Sequence, residues 1–206
     1  MKHIHFDVES DGFYGAYWAC KDGSDCTVIA MLGDDPEDYM ARSAVKWLIR
    51  LGVNILTMSP AKKDYGHHNY PLERIEKAMA WLKLHGNEKI GIAGASTTGT
   101  LALTAASIFS DISLTIAMTP SDFVWQGFMQ GKKDGCKEWP IEGESLFSCK
   151  GKPLPYMPFC YQRPDYWRII SEESKRTGNM IASRKLFDDS EACGETALLR
   201  SRGGRI

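Results

Sequence analysis

Between Ile90 and Phe109 the chain carries no charged residue, yet the middle of that stretch reads Gly94-Ala95-Ser96-Thr97-Thr98-Gly99. A run of about 20 apolar residues is long enough to cross a bilayer. Glycines and hydroxyls at its centre instead suit a tight turn between two shorter buried elements. The pattern therefore predicts a strand over residues 89–93, a sharp turn at Ser96, and a helix over residues 98–109. A strand that passes into a helix through small residues belongs to a sheet covered by helices, and the rest of the sequence can be read against that expectation.

Upstream, residues 3–8 alternate, residues 13–19 are rich in aromatics, and Cys26-Thr-Val-Ile-Ala-Met-Leu32 is an almost continuous apolar run. Asp11-Gly12 and Lys21-Asp22-Gly23-Ser24-Asp25 separate them as turns. This order predicts an antiparallel edge leading into a buried strand. The period then changes. Met40, Ala44, Trp47, Leu48 and Leu51 recur at helical spacing after Pro36, and the helix ends at Gly52. Residues 53–58 read as a strand and residues 60–70 as a polar loop. Pro71 suits the first turn of a second helix whose apolar face is Ile75, Ala78, Met79 and Leu82. That helix ends at Gly86, and residues 113–118 form another apolar strand. Strands alternating with helices predict an α/β fold: a mostly parallel sheet with helices on both faces and its loops after the strands gathered on one edge.

Composition excludes several classes of function. Lys and Arg number 25 against 26 Asp and Glu, a formal net charge of -1, so no basic footprint for nucleic acid is present. The six cysteines (20, 26, 136, 149, 160 and 193) contain no C-x-x-C pair and no histidine at ligand spacing. They read as buried free thiols in a reducing, cytoplasmic compartment, with no disulfide framework and no metal or other cofactor. The first seven residues lack an apolar signal region, and no membrane span is expected.

The turn at Ser96 has the context that a G-x-S-x-G elbow needs in order to carry chemistry, a strand before it and a helix after it. Small neighbours let the chain pack closely while the serine hydroxyl projects from the sheet edge. The helix N-terminus then favours developing negative charge. Ser96 is the candidate catalytic nucleophile, and the backbone N–H of Thr97 is one candidate oxyanion donor. The second candidate is the N–H of Asp34, in Leu32-Gly33-Asp34-Asp35-Pro36-Glu37-Asp38 after the strand that begins at Cys26. The acidic side chains there read as caps for the following helix. Thr98 departs from the usual glycine two residues after the nucleophile, and a bare strand-to-helix connection is the competing reading. All five histidines (His3, His5, His67, His68, His85) precede Ser96, whereas the usual order is Ser, then Asp or Glu, then His.

Met31-Leu32-Gly33-Asp34-Asp35, Tyr39-Met40-Ala41 and Gly52-Val53-Asn54 resemble the oxyanion loop and first helix of the C-terminal domain shared by acyl-CoA thioester hydrolases and bile-acid-CoA:amino-acid N-acyltransferases. Ile92-Ala93-Gly94-Ala95-Ser96-Thr97-Thr98-Gly99 and Thr119-Pro120-Ser121-Asp122-Phe123 resemble the bacterial members of that family. The resemblance spans roughly residues 1–192. It implies an α/β-hydrolase with a Ser or Cys nucleophile that attacks a small-molecule acyl ester or thioester and passes through an acyl-enzyme. It also implies further strands bearing a triad Asp and His, which this sequence lacks. A truncated or frame-shifted end is the corresponding expectation.

Residues 1–192 are thus expected to form a single α/β-hydrolase-like domain with an incomplete C-terminal end. Residues 120–170, rich in Trp, Tyr, Phe, Pro and Gly, read as a lid-like insertion, and residues 193–206 as a disordered tail. Two functions remain open from the sequence: a serine hydrolase acting through Ser96, or a catalytically incomplete fragment or acyl-ligand binding module. Loss of the last strands would leave a sheet edge free for self-association.

Overall fold

The computed structural model describes residues 3–60, 66–130 and 138–157, which lie within one compact unit covering residues 1–157. The elements run in chain order as β1 (Ile4–Phe6), β2 (Gly15–Trp18), β3 (Cys26–Met31), α1 (Tyr39–Leu48), β4 (Asn54–Met58), β5 (Gly66–His67), β6 (Tyr70–Pro71), α2 (Glu73–Leu84), β7 (Lys89–Ala95), α3 (Thr97–Ile108), β8 (Ile112–Met118), β9 (Gln126–Gln130), β10 (Glu138–Ser145), β11 (Phe147–Cys149) and β12 (Lys152–Pro153). Among the described residues the fold is mixed α/β, with one main sheet and three α-helices.

The main sheet has the order β1-β2-β4-β3-β7-β8. Strands β4, β3, β7 and β8 are parallel, and β2 and β1 add an antiparallel edge, as the alternation of residues 3–8 predicts. Side chains alternate across the strands and so divide the core between two faces. Ala16, Trp18, Val28, Ala30, Ile55 and Ala93 meet Val45 and Leu48 of α1 on one face. Tyr17, the intervening residue of β2, sits edge-on to Trp81 of α2 on the other, as does Phe6. The apolar face of α2 is fully withdrawn from solvent at Ile75, Ala78 and Leu82. Burying a Leu or Ile side chain is worth about 1.5–3 kcal/mol, so these residues account for much of the hold of α2 on the sheet.

A buried polar hub knits the starts of three strands. Asn87 Oδ1 accepts from Thr27 Oγ1 at 2.5 Å and from Asn54 Nδ2 at 2.8 Å, while its Nδ2 donates to the Leu82 carbonyl at 3.1 Å. Nothing in the periodicity marks Asn87. Its role follows from the cost of leaving Thr27 and Asn54 unpaired inside the sheet.

Pro71 is placed differently from its expected position in the first turn of α2. The Tyr70 N–H donates to the Leu146 carbonyl and the Leu72 N–H to the Ser148 carbonyl, both at 2.9 Å. These bonds hold Tyr70–Pro71 extended alongside β11, and the helix starts at Glu73. The loop of residues 60–70 is likewise partly strand, because Gly66–His67 pairs antiparallel with β9. The described part of the aromatic-rich segment forms two small three-stranded sheets, β10-β9-β5 and β12-β11-β6. The part of the lid-like segment beyond residue 157 and the tail over 193–206 lie outside the described residues. Cys20, Cys26 and Cys149 are free thiols, half-buried rather than buried. No described helix is long and apolar enough to cross a membrane.

Candidate functional site

Strand order reverses between β3 and β7. From β3 the chain moves outward to β4 on one side, then returns to place β7 and β8 on the other. Where successive parallel strands depart in opposite directions, the loops at their C-terminal ends part and leave a crevice. The loop from β3 into α1 and the turn from β7 into α3 flank that point, so the fold brings the two sequence-predicted segments to adjacent strand ends.

Ser96 forms the whole turn between β7 and α3. It is exposed and holds φ 53° and ψ −120°, a backbone conformation that costs on the order of 1–3 kcal/mol for a residue with a Cβ. Its N–H donates to the Met118 carbonyl at 2.9 Å, which ties the turn to the end of β8. Thr119, the next residue after β8, is also at positive φ, 45°. Two strained residues therefore stand side by side at the ends of neighbouring strands. A Cβ at Gly94 would lie 2.1 Å from the Thr98 carbonyl oxygen, so only glycine lets the strand pass so close beneath the helix start.

Thr98 fits in the usual glycine position because its hydroxyl has work at the turn. Its Oγ1 accepts from the Ala95 N–H at 2.9 Å and lies 2.6 Å from the Met31 carbonyl oxygen of β3, to which it donates. Gly99, one residue on, is the position where the helix meets β8: a Cβ there would lie 3.0 Å from the Met118 carbonyl oxygen. The close-approach glycine is thus moved by one residue. Thr97 is the first residue of α3, and its N–H makes no hydrogen bond among the described residues.

The second candidate donor has a partner. Asp38 Oδ2 accepts the N–H of Asp34 at 2.9 Å and that of Asp35 at 3.3 Å, while Asp38 Oδ1 caps α1 through the Ala41 N–H at 2.8 Å. Gly33, at φ 143°, makes room for this carboxylate, which would sit 2.5 Å from a Cβ there. The Asp34 N–H is therefore occupied by an anion of the chain itself, and it reaches an external oxygen only when Asp38 turns away. Ser59 Oγ, after β4, fixes the loop from the other side by donating to the Asp34 carbonyl at 2.8 Å.

The neighbouring acids point to other partners. Tyr14 donates to Asp35 at 2.7 Å, and that bond to a carboxylate, helped by partial burial, pushes the Tyr14 phenol up to about 12. Glu37 is held by His3 Nε2 at 2.5 Å and His5 Nδ1 at 3.2 Å, with Arg42 at 3.9 Å. The acid-rich loop is in this way tied to the β1–β2 hairpin.

His67 and His68 are placed by β5. The His67 ring stacks on Phe128 with centroids 5.2 Å apart, and burial lowers its pKa, partly offset by Asp34. His68 Nδ1 contacts Glu144 Oε2, and its side chain fits where Gly66 and Gly127 have no Cβ. No motif in the sequence announces this His–Glu pair, whose members are 76 residues apart. Among the described residues no cluster of His, Cys, Asp and Glu could hold a metal ion.

No family model matches the chain, and no curated protein matches it. Among solved structures it is similar to an esterase of Pyrococcus furiosus, at 20% identity and a TM-score of 0.43. That likeness covers 58% of this chain, which spans about half (48%) of the esterase's length.

Proposed function

We propose that the chain carries the nucleophile half of an α/β-hydrolase site and that Ser96 attacks the carbonyl carbon of an acyl ester or thioester. The observation that carries this reading is the backbone of Ser96: exposed, at positive φ, between a parallel strand and a helix, beside the switch point of the sheet. A simple connection has no need to hold a serine in so costly a conformation.

In this reading Ser96 Oγ adds to the carbonyl carbon. Its proton leaves with the departing thiol or alcohol, and the C–S or C–O bond breaks to leave an acyl-enzyme. Water then cleaves the acyl-enzyme, releasing the acid and restoring the hydroxyl. The free N–H of Thr97 and the positive end of α3 stabilise the oxyanion. The Asp34 N–H joins them once the Asp38 carboxylate swings clear. The strand-rich segment from β9 to β12 serves as the described part of the lid. Thioester specificity follows from the family resemblance read in the sequence.

A second reading is favoured by one specific observation: all five histidines precede Ser96. A chain with the elbow and no triad base would bind an acyl ligand with little or no turnover, since removing triad members costs several orders of magnitude in rate. Labelling with a fluorophosphonate probe, followed by turnover of p-nitrophenyl butyrate and of an acyl-CoA, separates the readings. Labelling that disappears in Ser96→Ala supports the nucleophile, and labelling equal in both proteins rejects it. Saturable acyl-CoA binding without turnover favours the binding module.

A further inference from the structure

We propose that His67 is the general base of the Ser96 site, a ring nitrogen taking the serine proton directly or through one water. This inference rests on the reading of Ser96 as a nucleophile.

The register of the sheet brings the two residues to one edge. Thr57 of β4, Ala30 of β3 and Ala93 of β7 lie in a single row. Neighbouring strands sit about 4.8 Å apart, so the loop leaving β4 starts about 10 Å from the turn at Ser96. Ser59, the first residue of that loop, is bonded to the Asp34 carbonyl and so holds the loop against the segment between β3 and α1. The chain returns at β5, where His67 stands close enough to Asp34 to feel its charge.

Of the five histidines, His67 is the one placed for this work. His3 and His5 are taken by Glu37 at the antiparallel edge of the sheet. His85 ends α2, at the strand ends opposite Ser96, where it bonds the Trp81 carbonyl and stacks on the Trp81 ring. His68 has Nδ1 on Glu144. The half-buried ring of His67 makes no hydrogen bond or ion pair among the described residues, and its plane is fixed by the stack on Phe128. An imidazole that is held in place yet has both nitrogens unspent is suited to moving a proton.

A base must arrive without its proton. Burial favours the neutral ring, the charge of Asp34 opposes that, and His68 adds to it, while Phe128 on β9 brings no charge. As Ser96 Oγ bonds to the acyl carbon, the imidazole takes the hydroxyl proton. It returns that proton to the departing sulfur or oxygen as the C–S or C–O bond breaks. A base that precedes its serine in the chain is no obstacle, because the order of the catalytic groups differs between unrelated folds with the same geometry.

The rate of fluorophosphonate labelling at Ser96, followed from about pH 5 to about pH 9, tests this. In the wild type the rate is expected to fall about tenfold per pH unit on the acid side, with the break below about pH 6.5. His67→Gln is expected to label at least about 100-fold more slowly at neutral pH and to lose the acid limb, whereas His85→Gln keeps the wild-type profile. Added imidazole is expected to restore at least about tenfold in His67→Ala. Circular dichroism checks that each variant is folded, and His67→Phe, which keeps a ring on Phe128, replaces His67→Gln if the latter is not. Labelling that depends on Ser96 but keeps its rate in a folded His67 variant overturns the inference and leaves the nucleophile standing. So does a slower rate that keeps the acid limb and is not restored by imidazole. A wild type that does not label, or labels no more than Ser96→Ala, overturns both.

Discussion

Thr98 Oγ1 donates to the carbonyl oxygen of Met31 across 2.6 Å, joining the first turn of α3 to the end of the neighbouring strand β3. The same oxygen accepts the Ala95 N–H, so one hydroxyl fixes the elbow both to its own strand and to the adjacent one. Thr98→Val keeps the shape, removes both bonds, and leaves the Ala95 N–H without its partner. It is expected to destabilise the chain by about 1–3 kcal/mol, measured by urea unfolding. Thr98→Ser, which keeps the oxygen, should recover most of that loss.

Gly94→Ala drives a methyl into the Thr98 carbonyl, at 2.1 Å, where both groups are backbone and neither can rotate away. Its cost should exceed about 2 kcal/mol, and it should abolish fluorophosphonate labelling at Ser96 if the elbow is the reactive turn. Gly99→Ala meets the Met118 carbonyl at 3.0 Å and should cost less, because a shift of a few tenths of an ångström relieves it.

Asp38→Ala removes the cap of α1 and is expected to lose about 1–2 kcal/mol in chemical denaturation. It also frees the Asp34 N–H. If that group is an oxyanion donor, the rate of labelling at Ser96 should rise despite the lower stability.

Asn87→Ala leaves the Thr27 hydroxyl and the Asn54 amide without their shared acceptor. Each buried group left unpaired costs about 1–3 kcal/mol, so a loss of at least about 2 kcal/mol is expected, read as a lower urea midpoint with an unchanged slope.

Burial holds the His67 imidazole below its ordinary value of 6.5, so the folded chain resists a proton that the unfolded chain accepts. Stability from this group is complete above about pH 6.5, falls as the pH drops from there toward the lower folded value, and is constant below it. His67→Phe retains a ring to stack on Phe128 and cannot titrate. The fall in melting temperature between about pH 7.5 and about pH 5 should be smaller in the variant than in the wild type.

The sequence made the layers legible because each of β3, α1, β4, α2, β7, α3 and β8 has its own apolar period. The turn at Ser96 was readable because glycine and serine residues interrupt an otherwise uncharged run. The geometry around it was harder to foresee. Thr98 departs from the glycine usual at that place, and a residue symbol does not show that its hydroxyl finds the Met31 carbonyl on a different strand. The capture of the Asp34 N–H by Asp38 was hidden for a related reason: an aspartate before a helix is expected to point forward as a cap, and here it also reaches back. Pro71 suits a helix start by local rules, because pairing with β11, more than 70 residues away, leaves no local signal.

The acids after β3 have one more consequence. Glu37 is gripped by His3 and His5, and Asp35 by Tyr14, so the shape of that loop is set in part by residues near the beginning of the chain. A substitution at His3, His5 or Tyr14 would then act at a distance, loosening a loop some twenty to thirty positions downstream that no alignment of neighbouring residues would connect to it.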